Sequence, residues 1–341
     1  MKIIVDAMGG DFAPKAPVEG ALDAVKHLGA EIILVGKAEQ ILSALEQLGH
    51  KEVPPGIEIV HAEQVVEVED NPAAVVREKK DSSMIMGLNM LKENRGEAFL
   101  SCGSTGALLA AATLINKRVK GIRRAALAPV VPSGTGGAIL IDCGATADCT
   151  PEYLMQYAFM GSYYAKRFLG RPQPKVALLN IGAEPSKGTE LQQETHALLV
   201  QAHKDGGLCF VGNIESKEAI LGGVDVIVSD GFSGNIFLKA YEGTALYISK
   251  LMKNMFLKGT KSKLAALLVK DGIEELKREL DPSETGGTPL LGISQLVMKA
   301  HGSSDAYAIK NAIAQAQKLA QSGLIADITA HVDDMKLPGK A

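Results

Sequence analysis

The chain has 341 residues, of which 46% are hydrophobic and 4% aromatic, and its formal net charge is −3. A chain of this length buries a substantial core. Because Trp is absent, Ala, Leu, Ile and Val must fill that core, which favours helices and parallel strands. The pI near 6.2 gives no electrostatic case for wholesale binding of nucleic acid.

The four cysteines are too sparse for a disulfide framework and lack the spacing of a metal site, which fits a reducing compartment. The first residues show no basic leader followed by an apolar segment, and no run of about 18 apolar residues occurs. The sequence therefore predicts a cytoplasmic protein without a membrane-spanning helix.

Strand and helix signals alternate along the chain. Short apolar runs predict strands at 2–6, 31–35, 57–60, 98–101, 138–142, 176–180, 208–211 and 224–229, and helical segments follow, among them 14–27, 38–48 and 107–115. This alternation predicts an α/β fold with a mostly parallel sheet covered on both faces. Residues 235–280 instead predict long helices, interrupted near 258–260 and 271–272, that project from the sheet.

The segments after the predicted strands share a composition of glycine, small hydroxyl residues, Asp and Asn. They are Asp6-Ala-Met-Gly-Gly-Asp11, Ser101-Cys-Gly-Ser-Thr-Gly106, Asp142-Cys-Gly-Ala145, Asn180-Ile-Gly-Ala-Glu-Pro-Ser-Lys-Gly188, Gly212-Asn-Ile-Glu215 and Ser229-Asp-Gly-Phe-Ser-Gly-Asn235. Ligands of α/β sheets bind beyond these carboxyl ends. Glycines let backbone N–H groups approach an anion, and a following helix presents unpaired amides. The pattern therefore indicates phosphate binding.

The residues predicted to bind substrate or phosphate come from these loops. They are Asp6, Gly9, Gly10, Gly103, Ser104, Thr105, Gly106, Asn213, Asp230, Ser233 and Gly234. Gly and Ser are also ordinary turn and N-cap residues, which is the alternative interpretation. The first strand is followed by neither a P-loop nor a G-x-G-x-x-G element, which weighs against a nucleotide triphosphatase or an ordinary dinucleotide domain. Metal binding is not predicted, because the aspartates, Asp142 among them, are scattered and each fits a turn cap.

Two further side chains are candidates for chemistry. Lys187 follows a predicted strand and a glycine-containing turn, although a solvated surface lysine is the alternative. Asn235 lies where a long helix is predicted to begin, and the alternative is an N-cap. A cysteine nucleophile would need a base, and of the histidines only His301 lies in a strongly loop-like context, so buried inert thiols are favoured.

Seven short segments, taken in chain order, resemble the bacterial phosphate acyltransferase family, PlsX. They are Asp6-Ala-Met-Gly-Gly-Asp11, Ser101-Cys-Gly-Ser-Thr-Gly-Ala107, Asn180-Ile-Gly, Lys187-Gly188, Phe210-Val-Gly-Asn-Ile-Glu215, Asp230-Gly-Phe-Ser-Gly-Asn235 and Gly286-Gly-Thr-Pro-Leu-Leu-Gly292. The resemblance runs nearly from end to end. Ser104 departs from it where Asn is more usual, and Ala183 where an acidic residue is common.

The resemblance implies that acyl-[acyl-carrier-protein] and inorganic phosphate yield acyl phosphate and free carrier protein, in phospholipid biosynthesis. It implies a homodimer of single α/β/α domains over 1–341, similar to isocitrate dehydrogenase or phosphotransacetylase, with 235–280 protruding. Lys187 and Asn235 match the positions that the family marks as catalytic. Phosphate is itself a nucleophile, so we expect direct displacement without a metal, nicotinamide or catalytic thiol.

Two other functions are also compatible with the sequence. A dehydrogenase of the isocitrate or hydroxythreonine-phosphate type shares the implied architecture, and fold does not determine reaction. A non-catalytic scaffold that binds carrier protein or the membrane surface would need only the Lys-rich helical segment, and not the polar strand-end loops.

Residues 250–270 form the candidate surface for such contacts. Apolar residues there alternate with Lys250, Lys253, Lys258, Lys261, Lys263 and Lys270. A basic amphipathic helix of this kind predicts contact with a membrane surface or an acidic carrier protein. An ordinary dimer-contact helix with a solvated lysine face is the alternative.

Overall fold

The computed structural model describes residues 1–134, 136–280, 284 and 286–336, and of residues 277–280 only the backbone. The strands are β1 (Lys2–Asp6), β2 (Glu31–Gly36), β3 (Ile57–His61), β4 (Ala98–Ser101), β5 (Ala126–Leu127), β6 (Val130–Val131), β7 (Ala138–Ile141), β8 (Lys175–Leu179), β9 (Cys209–Ile214), β10 (Val226–Val228), β11 (Thr288–Leu291) and β12 (Leu296–Lys299).

Helices connect most of these strands. They are α1 (Lys15–Leu28), α2 (Ala38–Gln47), α3 (Val75–Glu78), α4 (Ser83–Lys92), α5 (Thr105–Ile115), α6 (Pro151–Phe168), α7 (Glu190–Lys204), α8 (Ser216–Leu221), α9 (Gly231–Leu257), α10 (Thr260–Leu268), α11 (Lys270–Leu280), α12 (Ala306–Ser322) and α13 (Leu324–Ala330), with a 3-10 turn at Val332–Met335. The predicted α/β class, with its mostly parallel strands, is confirmed.

The first sheet has the strand order β3-β2-β1-β4-β12-β11-β5, in which β3, β2, β1, β4 and β12 are parallel to one another and β11 is antiparallel to both of its neighbours, β12 and β5. The interior strand β1 carries Ile3, Ile4 and Val5, all buried, because helices cover both faces of a parallel sheet. The chain runs outward from β1 through β2 to β3 and then returns to β4. The loops after β1 and β4 therefore leave the sheet at a switch point, where α/β proteins bind ligands.

The second sheet has the order β6-β7-β10-β8-β9, and β7, β10, β8 and β9 are parallel. The chain moves from β8 outward to β9 and then back to β10 on the other side of β8. The loops after β8 and β10 consequently leave the sheet side by side at a second switch point.

The carboxyl edges of the two sheets meet. β5 runs in the direction of β12, because β11 is antiparallel to both. At the end of β5 the backbone N–H of Leu127 donates to the carboxylate of Asp142, directly after β7, at 2.8 Å. The N–H of Cys143 donates back to the Leu127 carbonyl at 3.2 Å. The segments that follow β5 and β7 thus adjoin at this junction.

One cluster of buried apolar side chains includes residues of both sheets, among them Val5 of β1 and Ile139 of β7. The predicted strands are all present, whereas β5, β6, β11 and β12 were not predicted. Two-residue strands are too short to show alternation, and Pro289 inside β11 argues against a strand from sequence. The single-domain prediction over 1–341 extends beyond residue 336, lies in part outside the described residues and stays a prediction.

The segment 235–280 is helical, as predicted, with α9, α10 and α11 in succession. The first predicted interruption, near Gly259, is confirmed. The second is wrong, because the break falls at Val269 and Gly272 lies inside α11; a single glycine costs only about 1 kcal/mol in a helix. Among the described residues, no helix combines the length and apolar character needed to cross a membrane.

Candidate active site

The loops after β1 and β4 pack against each other at the edge of the first sheet. A Cβ atom added to Gly9 would lie 2.7 Å from the backbone nitrogen of Gly103, and one added to Gly10 would lie 2.9 Å from the Cβ of Cys102. The φ of +97° at Gly10 also requires glycine. The predicted phosphate-binding residues of these two loops are therefore neighbours.

Asp6 ends β1 and is 2% exposed. Its carboxylate accepts hydrogen bonds from the hydroxyl of Ser101 at 2.7 Å and from the backbone N–H of Met8 at 3.1 Å, one on each oxygen. Burial raises the pKa of Asp6, and hydrogen bonds from Ser83 and Ser101 oppose that rise. Asp6 thus braces the loop; its contact with substrate stays a prediction.

The helix α5 begins at this edge. Ser104 is its N-cap, and its hydroxyl accepts from the backbone N–H of Ala107 at 3.5 Å. Thr105 and Gly106 form the first turn, and Gly106 is exposed. The first N–H groups of a helix have no partner within it and favour anions. The start of α5 therefore leaves backbone N–H groups at this edge, and phosphate binding by Ser104, Thr105 and Gly106 stays a prediction.

Lys299, which ends β12, received no role from the sequence, although it separates an apolar strand from the loop 301–304. It is 9% exposed and pairs in register with Ser101 of β4. Its ammonium donates to the backbone carbonyl of Cys102 at 3.3 Å and to that of Ala300. Burial lowers the pKa of Lys299. A lysine directly between a buried strand and a Gly- and Ser-containing loop was the available signal.

Lys187 lies in the loop between β8 and α7, and its side chain is exposed. The amide of Asn180 donates to the Lys187 carbonyl at 3.1 Å, and the N–H of Lys187 donates to the Glu184 carbonyl at 3.1 Å. From α7, Gln193 donates to the carbonyl of Ser186 at 2.9 Å. The backbone at Lys187 is fixed by both flanking elements while its charge remains accessible to a ligand.

Asn213, at the end of β9, lies beside the same loop. Its amide nitrogen donates to the carbonyl of Glu184 at 2.9 Å, and its amide oxygen lies 3.0 Å from Nδ1 of His196. The side chain of Asn213 therefore contacts the backbone of the loop that carries Lys187. Direct contact of Asn213 with phosphate stays a prediction.

Asn235 lies within α9 and not at its N-cap. The helix begins at Gly231, and its N-cap is Asp230, whose carboxylate accepts from the N–H of Ser233 at 2.8 Å. The N-cap interpretation of Asn235 is therefore wrong, because Asp230, nearer the end of β10, caps the helix first. The amide of Asn235 instead donates to the carbonyl of Cys143 at 2.9 Å and joins α9 to the loop after β7.

Asp142 is fully buried and organises the loop after β7. The backbone groups that donate to its carboxylate are the N–H groups of Leu127, Gly144, Ala145 and Thr146. Burial raises the pKa of Asp142 to about 6, and these amides oppose that rise. The turn-capping role that the sequence predicted for Asp142 is confirmed.

The first turn of α9 packs on this loop. A Cβ atom on Gly231 would lie 2.6 Å from Oδ2 of Asp142, and one on Gly234 would overlap the Asp142 carbonyl. Close packing here brings the predicted residues Asp230, Ser233 and Gly234 to the same edge as Asp142. The predicted site residues thus form two groups, one at the edge of each sheet.

Glu242 of α9 lies within electrostatic range of His301, in the loop after β12. Glu242 of α9 is half-buried, and burial raises its pKa, while the charge of His301 in the loop after β12 opposes that rise. Glu242 belongs to the helix that follows the second sheet, and His301 to a loop of the first.

Cys102, Cys143 and Cys149 do not have the character of activated nucleophiles. Burial raises the pKa of Cys102 to about 11 and that of Cys149 to about 12, and it also raises the pKa of Cys143 well above its ordinary value. A reactive thiol has a lowered pKa, because the thiolate is the nucleophile. These three thiols therefore remain protonated at neutral pH.

Similarity to solved structures defines the class of fold. A phosphotransacetylase from Streptococcus pyogenes aligns with a TM-score of 0.59 and 19% identity over 94% of each chain. A 4-hydroxythreonine-4-phosphate dehydrogenase from Klebsiella pneumoniae aligns with a TM-score of 0.55 and 13% identity, over 94% of this chain and 99% of that one. At these identities the likeness shows a shared α/β fold, common to transferases and dehydrogenases.

Sequence similarity distinguishes between these two chemistries. The family described as "Fatty acid synthesis protein" matches residues 1–327. A phosphate acyltransferase from Alkaliphilus oremlandii is 45% identical over 335 residues, which cover 98% of each chain. The chain belongs to this family of phosphate acyltransferases, and it is an enzyme.

Proposed function

We propose that this enzyme moves a fatty acyl group from acyl-[acyl-carrier-protein] to inorganic phosphate, which yields acyl phosphate and free carrier protein for phospholipid biosynthesis. The observation that carries the proposal is the pairing of β8 with β10. It sets the loop of Lys187 beside the helix of Asn235, in the sheet that meets the first sheet at the junction of β5 and β7. A cation and an amide donor are thus carried on neighbouring elements of one sheet edge, and the proposal assigns phosphate to the helix start at the edge of the other sheet.

In the proposed reaction a phosphate oxygen attacks the thioester carbonyl carbon, and the carbon–sulfur bond breaks. The thiolate of the carrier protein leaves and takes up the proton that the attacking hydrogen phosphate loses, so the reaction balances without an oxidant or a reductant. The loop at Gly9 and Gly103 and the start of α5 hold the phosphate. Correct placement of the two reactants supplies much of the acceleration.

Lys187 and Asn235 act on the charge that develops during attack. Lys187 places its ammonium near the tetrahedral oxyanion. The amide of Asn235 has two N–H groups; one donates to the carbonyl of Cys143 at 2.9 Å, which fixes the orientation of the amide, and the other donates to the oxyanion. A donor that is already oriented needs no reorganisation when charge develops.

The test is a turnover assay with purified acyl-[acyl-carrier-protein]. We expect thioester consumption that depends on phosphate, produces acyl phosphate and is unaffected by nicotinamide nucleotides. Consumption that required a nicotinamide nucleotide would favour the dehydrogenase alternative. Binding of carrier protein without turnover would favour a scaffold.

We also propose that the enzyme is a cytoplasmic homodimer whose helical projection, α9 to α11, contacts the membrane surface. Leu264, Leu267 and Leu268 of α10 are 63%, 72% and 81% exposed, and the helix has no buried residue. The three helices line a partly open apolar pocket of about 200 Å³, and its lining includes Phe256 and Ile273. Exposed leucines interspersed with lysines suit an interface with anionic lipid.

Co-sedimentation with anionic vesicles tests the membrane contact. The wild type should pellet at low salt, and the double variant Leu267→Glu plus Leu268→Glu should pellet much less while it remains a dimer by size. If the dimeric variant pelleted as well as the wild type, carrier docking or subunit packing would explain these helices instead.

A further inference from the structure

A chain of hydrogen bonds leads from His196 to the loop that carries Lys187. Nδ1 of His196, on α7, lies 3.0 Å from Oδ1 of Asn213. The amide nitrogen of Asn213 donates to the carbonyl of Glu184 at 2.9 Å. The backbone N–H of Lys187 donates to that same carbonyl at 3.1 Å. The Glu184 carbonyl is therefore shared between the Asn213 side chain and the Lys187 backbone.

The direction of each bond is determined by chemistry. A carbonyl oxygen only accepts, so the amide nitrogen of Asn213 must face Glu184, and its amide oxygen must face His196. An oxygen acceptor requires a hydrogen on Nδ1, so His196 is the donor. The imidazole also contacts Phe210 of β9 edge-on, with ring centroids 5.3 Å apart and planes at 73°. The ring orientation is thus set by both its hydrogen bond and its packing.

Hydrogen bonds matter in this loop because packing is sparse. The residues between β8 and α7 are mostly exposed, and the apolar residue Ile181 is 81% exposed. Few buried apolar contacts therefore hold the backbone from which Lys187 projects. Displacement of a reacting group by about 1 Å can cost on the order of 100-fold in rate.

We propose that His196 is a positioning residue for the acyl transfer: through Asn213 it fixes the Glu184 carbonyl and hence the backbone of Lys187. The inference rests on the proposed function of Lys187 at the oxyanion. His196 touches neither substrate in this scheme. Its contribution is confined to the transition state, because the ammonium of Lys187 is needed most where negative charge develops.

The test compares two substitutions at His196. His196→Leu removes the donor and replaces His by a better helix former, so the fold is kept. His196→Asn keeps an N–H group close to the position of Nδ1. We expect His196→Leu to lower kcat about tenfold with the KM for phosphate changed less than about twofold. His196→Asn should restore most of that loss.

His203 provides a matched control on the same helix. Its Nδ1 lies 3.0 Å from the carbonyl of Leu208, before the start of β9 and away from the loop of Lys187. His203→Leu should leave kcat within about twofold of the wild type. A loss of kcat in His203→Leu as large as that in His196→Leu would assign the effect to general destabilisation of α7 and overturn the inference.

A Lys187→Ala background separates the proposed role of His196 from the proposed role of Lys187. If His196 acts through Lys187, His196→Leu should lower kcat little further in that background, since coupled residues are not additive. If Lys187→Ala is inactive but His196→Leu has wild-type kcat, the positioning inference fails and the role of Lys187 stands. If Lys187→Ala keeps wild-type activity, the proposed role of Lys187 fails and the inference fails with it.

Discussion

The side chain of Lys187 lies across Gly182. A Cβ atom at residue 182 would come within 2.9 Å of Cγ and 3.4 Å of Cδ of Lys187, and within 3.0 Å of a carboxylate oxygen of Glu184. All three are atoms of flexible side chains and not of the backbone. Gly182 therefore sets the path of the Lys187 side chain without constraining the fold.

Gly182→Ala is predicted to displace Lys187 and to lower kcat. The backbone at residue 182 is not in the left-handed region, so alanine fits there without backbone strain, and only the side chains around it must move. We expect a loss of kcat of about tenfold, because misplacement of a charged group weakens its effect on the oxyanion. Steady-state kinetics and a thermal melt measure the two quantities separately, and the melting temperature should change little.

Gly243→Ala is the control for this substitution. A Cβ at residue 243, in α9, would have no heavy atom within 4 Å. That variant should keep wild-type kcat and gain up to about 1 kcal/mol of helix stability. Equal kinetics for Gly182→Ala and the wild type would show that Lys187 does not need its observed path.

Asn235→Ala is predicted to reduce rate without loss of a helix cap. Because Asp230 and not Asn235 caps α9, the free energy of unfolding of Asn235→Ala should stay close to that of the wild type. The rate should fall on the order of 100-fold, because an oxyanion donor is lost. Asp230→Ala should instead cost about 1 kcal/mol of stability. Urea unfolding of both variants checks this; a large loss of stability in Asn235→Ala alone would contradict it.

Lys299 predicts a pH dependence of stability. Burial lowers its pKa in the folded protein from the ordinary value of 10.5. Between the folded pKa and 10.5 the unfolded chain binds more protons than the folded one, so the free energy of unfolding rises with pH across that window. Below the window the full cost of the buried cation is present.

The measurement compares the wild type with Lys299→Met, which lacks the titrating group. Urea unfolding at about pH 7 and about pH 10 should show the difference in stability moving in favour of the wild type as pH rises. A difference that stays constant with pH would show that Lys299 titrates alike in both states. Lys299→Arg keeps its charge at both pH values, so the difference in stability between Lys299→Arg and Lys299→Met should not change between these pH values.

The sequence was sufficient for the parallel core of the fold because buried strands such as β1 and β4 are continuous apolar runs bounded by glycine-containing loops. It was insufficient for β5 and β6, where two residues show no period, and for β11, where Pro289 masks the strand. The division into two sheets depends on strand order. Strand order is set by long-range packing that no local pattern contains.

For the candidate site, composition identified the strand-end loops of Lys187 and Asn235, because turn and anion-binding residues are local signals. The start of α9 was predicted wrongly, since Asp and Asn are both good N-cap residues and only the three-dimensional structure shows that Asp230, and not Asn235, caps the helix. Lys299 and His196 were missed because their partners, Cys102 and Asn213, are distant in sequence. Contacts of this kind arise only when strands and helices pack together.

The cysteines are predicted to be dispensable for the chemical step. Burial keeps the thiols of Cys102, Cys143 and Cys149 protonated, and direct attack by phosphate needs no acyl-enzyme. Replacement of each by Ala, and of Cys209 likewise, should leave the rate of acyl phosphate formation within about threefold of the wild type. Single-turnover mass spectrometry should detect no acyl-cysteine.

The most direct test of acyl transfer by phosphate attack is acyl exchange between carrier molecules. Wild-type enzyme freed of phosphate is mixed with acyl-[acyl-carrier-protein] and isotopically labelled free carrier protein, and the labelled acyl carrier is followed by mass spectrometry. Direct attack predicts no exchange until phosphate is added, after which reversal of the reaction moves acyl groups to the labelled carrier. Lys187→Ala should lower that phosphate-dependent rate on the order of 100-fold. Exchange at an equal rate without phosphate would reveal a covalent acyl-enzyme and contradict the proposed mechanism.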